Sequence, residues 1–330
     1  MHIDIIGGSG FIGTRLLKRL HQRENVKLRI IDKAPSKAFP DLVEIGDVRS
    51  VEDMRRSITD GSVIVNLAAE HRDDVRPLSL YDEVNVRGAE NICEVARDKE
   101  VKTIIFTSTV AVYGFAPVGT DESGTISPFN DYGRTKYEAE KIFSAWQAEK
   151  PDERTLVILR PTVVFGEQNR GNVYNLLRQI VSGRFVMVGN GENRKSMAYV
   201  ENVAAFIEFC MDYQPGVYTY NFIDKPDFSM NSLVATVNRI LGRSEKIGFR
   251  LPYAIGYFVG KGFDLVAAVT GKTFPISSIR VKKFCSNSVY NTAIDSTGFR
   301  SPVFLSEAIE NTVRYEFIES HEAEGVFHTE

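Results

Sequence analysis

Long apolar runs are missing from this chain of 330 residues. No stretch reaches the ~20 uninterrupted apolar residues of a membrane-spanning helix. The nearest approach, residues 251–270, is broken by Gly260, Lys261, Gly262 and Asp264. The apolar opening from Ile3 to Ile6 is short and runs into glycines, so a first strand is expected there and not a signal peptide. Cysteine is scarce. Cys93, Cys210 and Cys285 are odd in number and lack metal-binding spacing, so buried thiols in a reducing compartment, and no metal, are expected. An excess of one charge is lacking too: 40 Lys and Arg stand against 43 Asp and Glu, a net charge of −3 that argues against nucleic acid as a partner. With 25% charged and 43% hydrophobic residues, the composition excludes disorder and a polytopic membrane protein, and the length allows a substantial core.

What is present is an alternation. Short β-branched runs and helical patterns take turns through the first half, as in a parallel sheet with crossover helices. Strands are expected at 2–6, 27–31, 42–45, 63–67, 103–107 and 155–159, and helices at 80–99 and from 131 onward. Farther on, helices are expected at 172–182, 200–213 and 231–241, and a strand at 218–223. The tail from Glu319 is polar and expected to fray.

The first strand ends in Gly7-x-x-Gly10-Phe11-Ile12-Gly13, which opens a helix. Glycines on such a turn let a dinucleotide pyrophosphate approach the backbone, where N–H groups and the helix dipole favour an anion. Asp32 ends the second strand, placed to accept hydrogen bonds from both adenosine ribose hydroxyls, which favours NAD over NADP. Asp47 and Val48 follow the third strand beside the adenine, and Leu67-Ala68-Ala69 leaves small residues along the cofactor; a helix cap and ordinary core are the plainer readings of these two segments. The expected fold is α/β: a Rossmann-type doubly wound parallel sheet with a smaller C-terminal substrate lobe. Residues 1–168 form the dinucleotide core, to which 198–225 return; 169–197 and 226–330 form the lobe.

A second motif supplies the chemistry. Tyr132 and Lys136 are four residues apart on one expected helix face. A tyrosine near its ordinary pKa of ~10 is a poor base at neutral pH. A cation one turn away, with a positive nicotinamide ring, would pull that value down. Thr109, after the fifth strand, would offer a hydroxyl to the same substrate oxygen, with its neighbour Ser108 as second choice.

The glycine loop, Asp32, the segment from Thr107 to Gly114, Tyr132-x-x-x-Lys136 and Arg160-Pro161-Thr162 together resemble the extended short-chain dehydrogenase/reductase family of nucleotide-sugar epimerases and dehydratases, over roughly residues 1–225. The resemblance implies NAD as cofactor and places the catalytic hydroxyl on Thr109. It adds Asn85, Ser108, Pro161, Tyr132 and Lys136 to the cofactor contacts, and it makes a homodimer common. A dehydratase would carry an acid–base carboxylate pair directly after the catalytic hydroxyl, where this chain has Val110-Ala111. A non-catalytic NAD-binding regulator would usually have lost the Tyr or the Lys.

A narrower resemblance, to family members that epimerise a polyprenyl-diphosphate-linked N-acetylamino sugar, covers almost the whole chain. It rests on 69–74, 168–175, 195–200 and 280–285. It implies a tightly held NAD, a 4-keto sugar that turns over in the site, and substrate contacts from His71, Arg72, Arg170, Asn172 and Lys195. Soluble UDP-sugar epimerases, the alternative together with a 4-keto-sugar reductase, commonly have an asparagine where Val163 stands and an arginine at Lys195. Their Arg-Pro-Gly-Asp loop is replaced here by Arg280–Lys283. The partner is thus a lipid-linked or a nucleotide-linked amino sugar. Residues 251–283 set Tyr253, Tyr257, Phe258 and Phe263 among aliphatics, with Lys272, Arg280, Lys282 and Lys283 downstream. Aromatics with snorkelling cations suit peripheral contact with the cytoplasmic face of an inner membrane; a buried helical pair or a homodimer surface would use the same residues.

Overall fold

Seven parallel strands form the centre of the molecule, seen in a computed structural model that describes residues 1–72, 75–270, 277–321 and 325–328. In chain order the strands are β1 (His2–Ile6), β2 (Lys27–Asp32), β3 (Val43–Ile45), β4 (Val63–Asn66), β5 (Thr103–Thr107), β6 (Thr155–Pro161), β7 (Val163–Phe165), β8 (Met187–Val188), β9 (Arg194–Tyr199), β10 (Gly216–Phe222), β11 (Asp224–Ser229) and β12 (Arg250–Leu251). The helices are α1 (Phe11–Leu20), α2 (Val51–Ser57), α3 (Ser79–Tyr81), α4 (Gly88–Asp98), α5 (Asp131–Ala148), α6 (Asn172–Val181), α7 (Val200–Cys210), α8 (Met230–Ile240), α9 (Tyr253–Thr270), α10 (Ser278–Cys285) and α11 (Leu305–Phe317).

The main sheet runs β3-β2-β1-β4-β5-β6-β10. Its middle strands read as nearly unbroken apolar runs because both faces are covered. Leu16, Leu17, Leu20, Val203 and Phe206, from α1 and α7, fill one side; Met54, Ile92, Phe143 and Trp146, from α2, α4 and α5, fill the other. Strand order reverses between β1 and β4, the crevice where an open α/β sheet binds its ligand.

The helix expected over 80–99 is interrupted. Between α3 and α4 the turns widen into a π-helical stretch, Asp82–Arg87, centred on Asn85. The remaining elements build smaller sheets, β11-β9-β7 and β12-β8, with a third core where Leu177, Met187, Leu233 and Ile309 meet. From β12 the chain enters α9, which packs on α10. That packing is close because α9 meets its neighbours through glycine: a Cβ on Gly256 would lie 2.7 Å from the Val188 side chain, and one on Gly260 2.7 Å from the Ser278 backbone.

The tail is not frayed at its described end. Phe327 N donates to Gln168 O at 2.8 Å, Arg170 N donates to Phe327 O at 2.8 Å, and the Phe327 ring lies 5.7 Å from that of Phe11. One aromatic residue in a polar tail suffices to pin it. Lys272, and residues 73 and 74 of the 69–74 segment, lie outside the described residues.

Candidate active site

The glycine turn divides its labour. Gly7 has φ +78°, and a Cβ there would sit 2.6 Å from Ala68 N at the end of β4. A Cβ on Gly13 would run into the Gly8 backbone. Both glycines therefore serve packing. Gly10 differs: its missing Cβ would meet nothing nearer than Gly7 O at 3.3 Å, so its face is open. Gly10 starts α1 with no side-chain cap and no acidic residue in the first turn. The N–H groups of Phe11, Ile12 and Gly13 lack intrahelical acceptors by geometry, which fits a pyrophosphate. The Asp32 carboxylate is fixed beside this turn by two backbone donors, Ser9 N and Ala34 N, each at 3.0 Å. Each oxygen keeps a lone pair for a ribose hydroxyl.

Asp47 is held by Arg49, whose Nη2 lies 2.6 Å from its Oδ2, and this pairing keeps its pKa below the usual carboxylate value. Val48 is buried against Gly88. Leu67, Ala68 and Ala69 leave the end of β4, and Pro161 closes β6. Asn85, expected at the cofactor, is buried and fully engaged by the protein. Its Oδ1 accepts from Glu70 N at 2.9 Å, and its Nδ2 donates to Glu70 O at 3.0 Å and Thr135 Oγ1 at 2.9 Å. The widened π turn lets Asn85 clamp the β4 loop to α5.

Helix α5 begins at Asn130, whose side chain accepts from Gly133 N at 3.0 Å. Its first turn carries Tyr132, half-buried, and Lys136 follows one turn later, 1% exposed. Thr109 caps the short helical turn after β5, its Oγ1 accepting from Ala111 N at 3.1 Å. The same side chain is near enough to the Tyr132 hydroxyl to favour its ionised form. Burial pushes Tyr132 up to about 12, and the Thr109 hydroxyl pulls the other way. Lys136 sits with Nζ 4.2 Å from the centre of the Phe106 ring; burial pushes it down to about 7, opposed by the charge of Glu140. The expected lowering of Tyr132 by Lys136 is therefore not delivered by these side chains alone. Both share a low-dielectric pocket that disfavours either charge.

Beneath this pair lies a buried chain of polar groups. Ser108 Oγ donates to Glu140 Oε1 at 2.5 Å, and Arg160 grips Glu140 through Nη2 at 2.6 Å and Nε at 2.9 Å. Arg160 Nη1 reaches the Tyr113 hydroxyl at 2.7 Å, which donates to Asn221 Oδ1 at 2.8 Å. Ser108 thus points into the protein while Thr109 points to Tyr132, which separates the two candidate hydroxyls. Sequence reasoning missed Glu140. Its signal was available, one helical turn beyond Lys136.

The expected substrate residues are scattered. His71 stands where solvent reaches it, yet the surrounding protein holds its pKa below normal by desolvation, with the Lys136 charge among the smaller contributors. Arg72 grips Glu70 through Nε and Nη2, both at 3.0 Å. Arg170 pairs with Glu316 at 2.7 Å and lies 4.2 Å above the Tyr174 ring. Asn172 is exposed at the start of α6. Lys195 Nζ donates to Lys283 O at 2.8 Å and Ser286 O at 2.7 Å, tying β9 to the end of α10; burial pushes its pKa down to about 8. Beside the catalytic helix stand other cations. Lys283 Nζ lies 4.6 Å from the Phe129 ring, three residues before Tyr132, and Lys282 Nζ lies 5.6 Å from that of Phe115.

Comparison with known proteins agrees with this geometry. The N-acetyl-α-D-glucosaminyl-diphospho-ditrans,octacis-undecaprenol 4-epimerase of Escherichia coli O157:H7 is 45% identical over 331 residues, spanning 100% of this chain and 99% of that protein. A UDP-glucose 4-epimerase of Vibrio cholerae is 28% identical over 94% of each. The crystal structure of a UDP-glucuronic acid 4-epimerase from Bacillus cereus in complex with NAD shares the fold, with a TM-score of 0.72 and 18% identity over 96% of this chain and 98% of that one. The family model for the NAD dependent epimerase/dehydratase family matches residues 3–221, and the chain belongs to that family.

Proposed function

We propose that this chain is an NAD-dependent 4-epimerase that interconverts N-acetylglucosaminyl- and N-acetylgalactosaminyl-diphospho-undecaprenol through a 4-keto sugar, in the assembly of O-antigen or a related surface polysaccharide. The observation that carries it is the full-length 45% identity to the E. coli enzyme. The nearness of Thr109 to Tyr132, with Lys136 one turn farther along α5, supports it. When bound, NAD takes up a hydride from the sugar C4 carbon and returns it.

The residues do the rest. Thr109 Oγ1 holds the C4 oxygen, and Tyr132 Oη takes its proton as the ketone forms. The keto sugar turns to present its other face, and Tyr132 gives the proton back. At about 12 in these surroundings, Tyr132 works near neutral pH only beside added positive charge. Lys136 is placed one turn away to supply part of it. The deciding experiment is a paired assay of the purified protein with its membrane fraction. Radiolabelled N-acetylglucosaminyl-diphospho-undecaprenol goes into one tube and UDP-N-acetylglucosamine into the other. Conversion of the lipid-linked sugar alone is expected; conversion of the UDP-sugar instead would sink the reading.

The substrate's lipid calls for contact with a bilayer, and α9 fits that need. No helix among the described residues is long and apolar enough to cross a membrane. Yet Ile255, Phe258, Val259, Leu265 and Val266 fall within one arc of α9, with Phe258 72% and Leu265 68% exposed. Lys261 flanks this arc and Lys282 and Lys283 stand on the adjoining α10, as on a helix lying in the lipid interface. Cosedimentation with anionic vesicles, lost in a Phe258→Glu/Leu265→Glu double variant, is expected. The homodimer implied by the family resemblance is a further proposal, read by light scattering of the purified protein.

A further inference from the structure

Between α10 and the β8–β12 pair runs a groove of about 720 Å³, within the usual range for small-molecule sites, roughly 300–1,000 Å³. Leu251, Pro252, Tyr253 and Cys285 form its walls, and Arg250 and Lys282 stand on its rim. At one end, Lys282 and Lys283 lie over Phe115 and Phe129, three residues before Tyr132. At the other end, Tyr253 is the first residue of α9, whose exposed apolar arc begins at Ile255. The groove therefore runs from beside the start of α5 to the exposed apolar arc of α9.

The geometry points to this groove as the seat of the first isoprene units of a polyprenyl diphosphate, with the diphosphate at Lys282 and Lys283 and the rest of the hydrocarbon leaving along α9. The inference rests on the lipid-linked reading of function and gives the lipid its path. Charge complementarity carries the choice of occupant. Neither lysine has a carboxylate partner among the described residues; each offers its ammonium over a ring face. Arg250 is held by neutral acceptors, Asn190 O at 2.6 Å and Asn231 Oδ1 at 3.1 Å, so its charge also stands uncompensated by those contacts. Beyond these cations Leu251, Pro252, Tyr253 and Cys285 give the walls an apolar stretch, with Asn190 and Ser286 as polar groups in the lining. A branched alkyl chain is satisfied by the apolar stretch without further polar partners. The occupant that matches this order is anionic at one end and apolar at the other.

The test uses the full chain with NAD and needs no sugar. Calorimetric titration compares farnesyl diphosphate with isopentenyl diphosphate, which share the anion and differ in the chain. Farnesyl diphosphate is expected to bind about tenfold tighter or more, from the added apolar burial. Cys285→Trp is expected to erase that preference while leaving isopentenyl diphosphate affinity in place, and Lys282→Glu to weaken both ligands. Because Cys285→Trp could fail to fold, alkylation of Cys285 in the unaltered protein is followed as well by mass spectrometry. Farnesyl diphosphate should slow it and isopentenyl diphosphate should not. Equal affinities, a preference that survives Cys285→Trp, or unprotected Cys285 would overturn the proposal. Chain-length preference without epimerisation of the lipid-linked sugar would strike the functional reading and spare the groove; epimerisation without the preference would strike the groove alone.

Discussion

Helices α5 and α9 are each 18 residues long, and they face opposite ways. Helix α5 turns Ala139, Phe143 and Trp146 fully inward together with Lys136 and the Arg160-paired Glu140, and leaves Arg134 outside, where it pairs with Asp82 at 2.8 Å and Glu138 at 3.1 Å. Helix α9 meets the protein through Gly256 and Gly260 and leaves Ile255, Phe258 and Leu265 outside. An apolar helix is thus not necessarily a buried one. The small residues decide which side lies against the fold, and the large ones then face whatever else is present.

The contrast can be broken on the α5 side first. Tyr132→Phe removes the proton carrier and is expected to lower kcat on the lipid-linked sugar about 10²–10⁴-fold. Bound NAD should still copurify, read by chromatography of the denatured protein. Glu140→Gln leaves Arg160 buried beside a neutral partner and should destabilise the fold by about 3–5 kcal/mol in urea unfolding. Lys136→Met is expected to lose activity yet gain stability at pH 7. The folded value of about 7 lies below the ordinary 10.5, so between these values the unfolded chain holds the extra proton and stability rises with pH. The variant should lack that slope, and its midpoint at pH 7 should rise by about 2–4 °C for each kcal/mol recovered. On the α9 side, Phe258→Glu/Leu265→Glu should leave stability within about 0.5 kcal/mol per site while abolishing vesicle binding. A large loss of stability there would mean that α9 is ordinary core and would dissolve the contrast.

The main sheet was legible because its apolar runs and glycine turn are local signals. Each of its six N-terminal strands was expected within about two residues of where it lies. That Tyr132 and Lys136 lie one turn apart on a helix was legible for the same reason, from their spacing, whereas Thr109 was preferred to Ser108 by the family resemblance. The interrupted helix at Asn85 was not, because a π turn is set by what Asn85 reaches, Glu70 and Thr135, both distant in sequence from it. Arg170 and Lys195 illustrate the same limit. Each carries a cation suited to a diphosphate, but Glu316 and the end of α10 engage them, and a sequence does not display that competition. The burial of Tyr132 and Lys136 was not legible, because desolvation acts through every surrounding atom and no single residue announces it.

The contact between Phe327 and Phe11 has a consequence in time. Residue 11 leaves the ribosome early, and the glycine turn it belongs to can fold with β1 and β2 while the rest is still being made. Its aromatic neighbour arrives more than three hundred residues later. The flank of the turn formed by Phe327, with Gln168 and Arg170 pinned beside it, closes only once residue 327 has emerged.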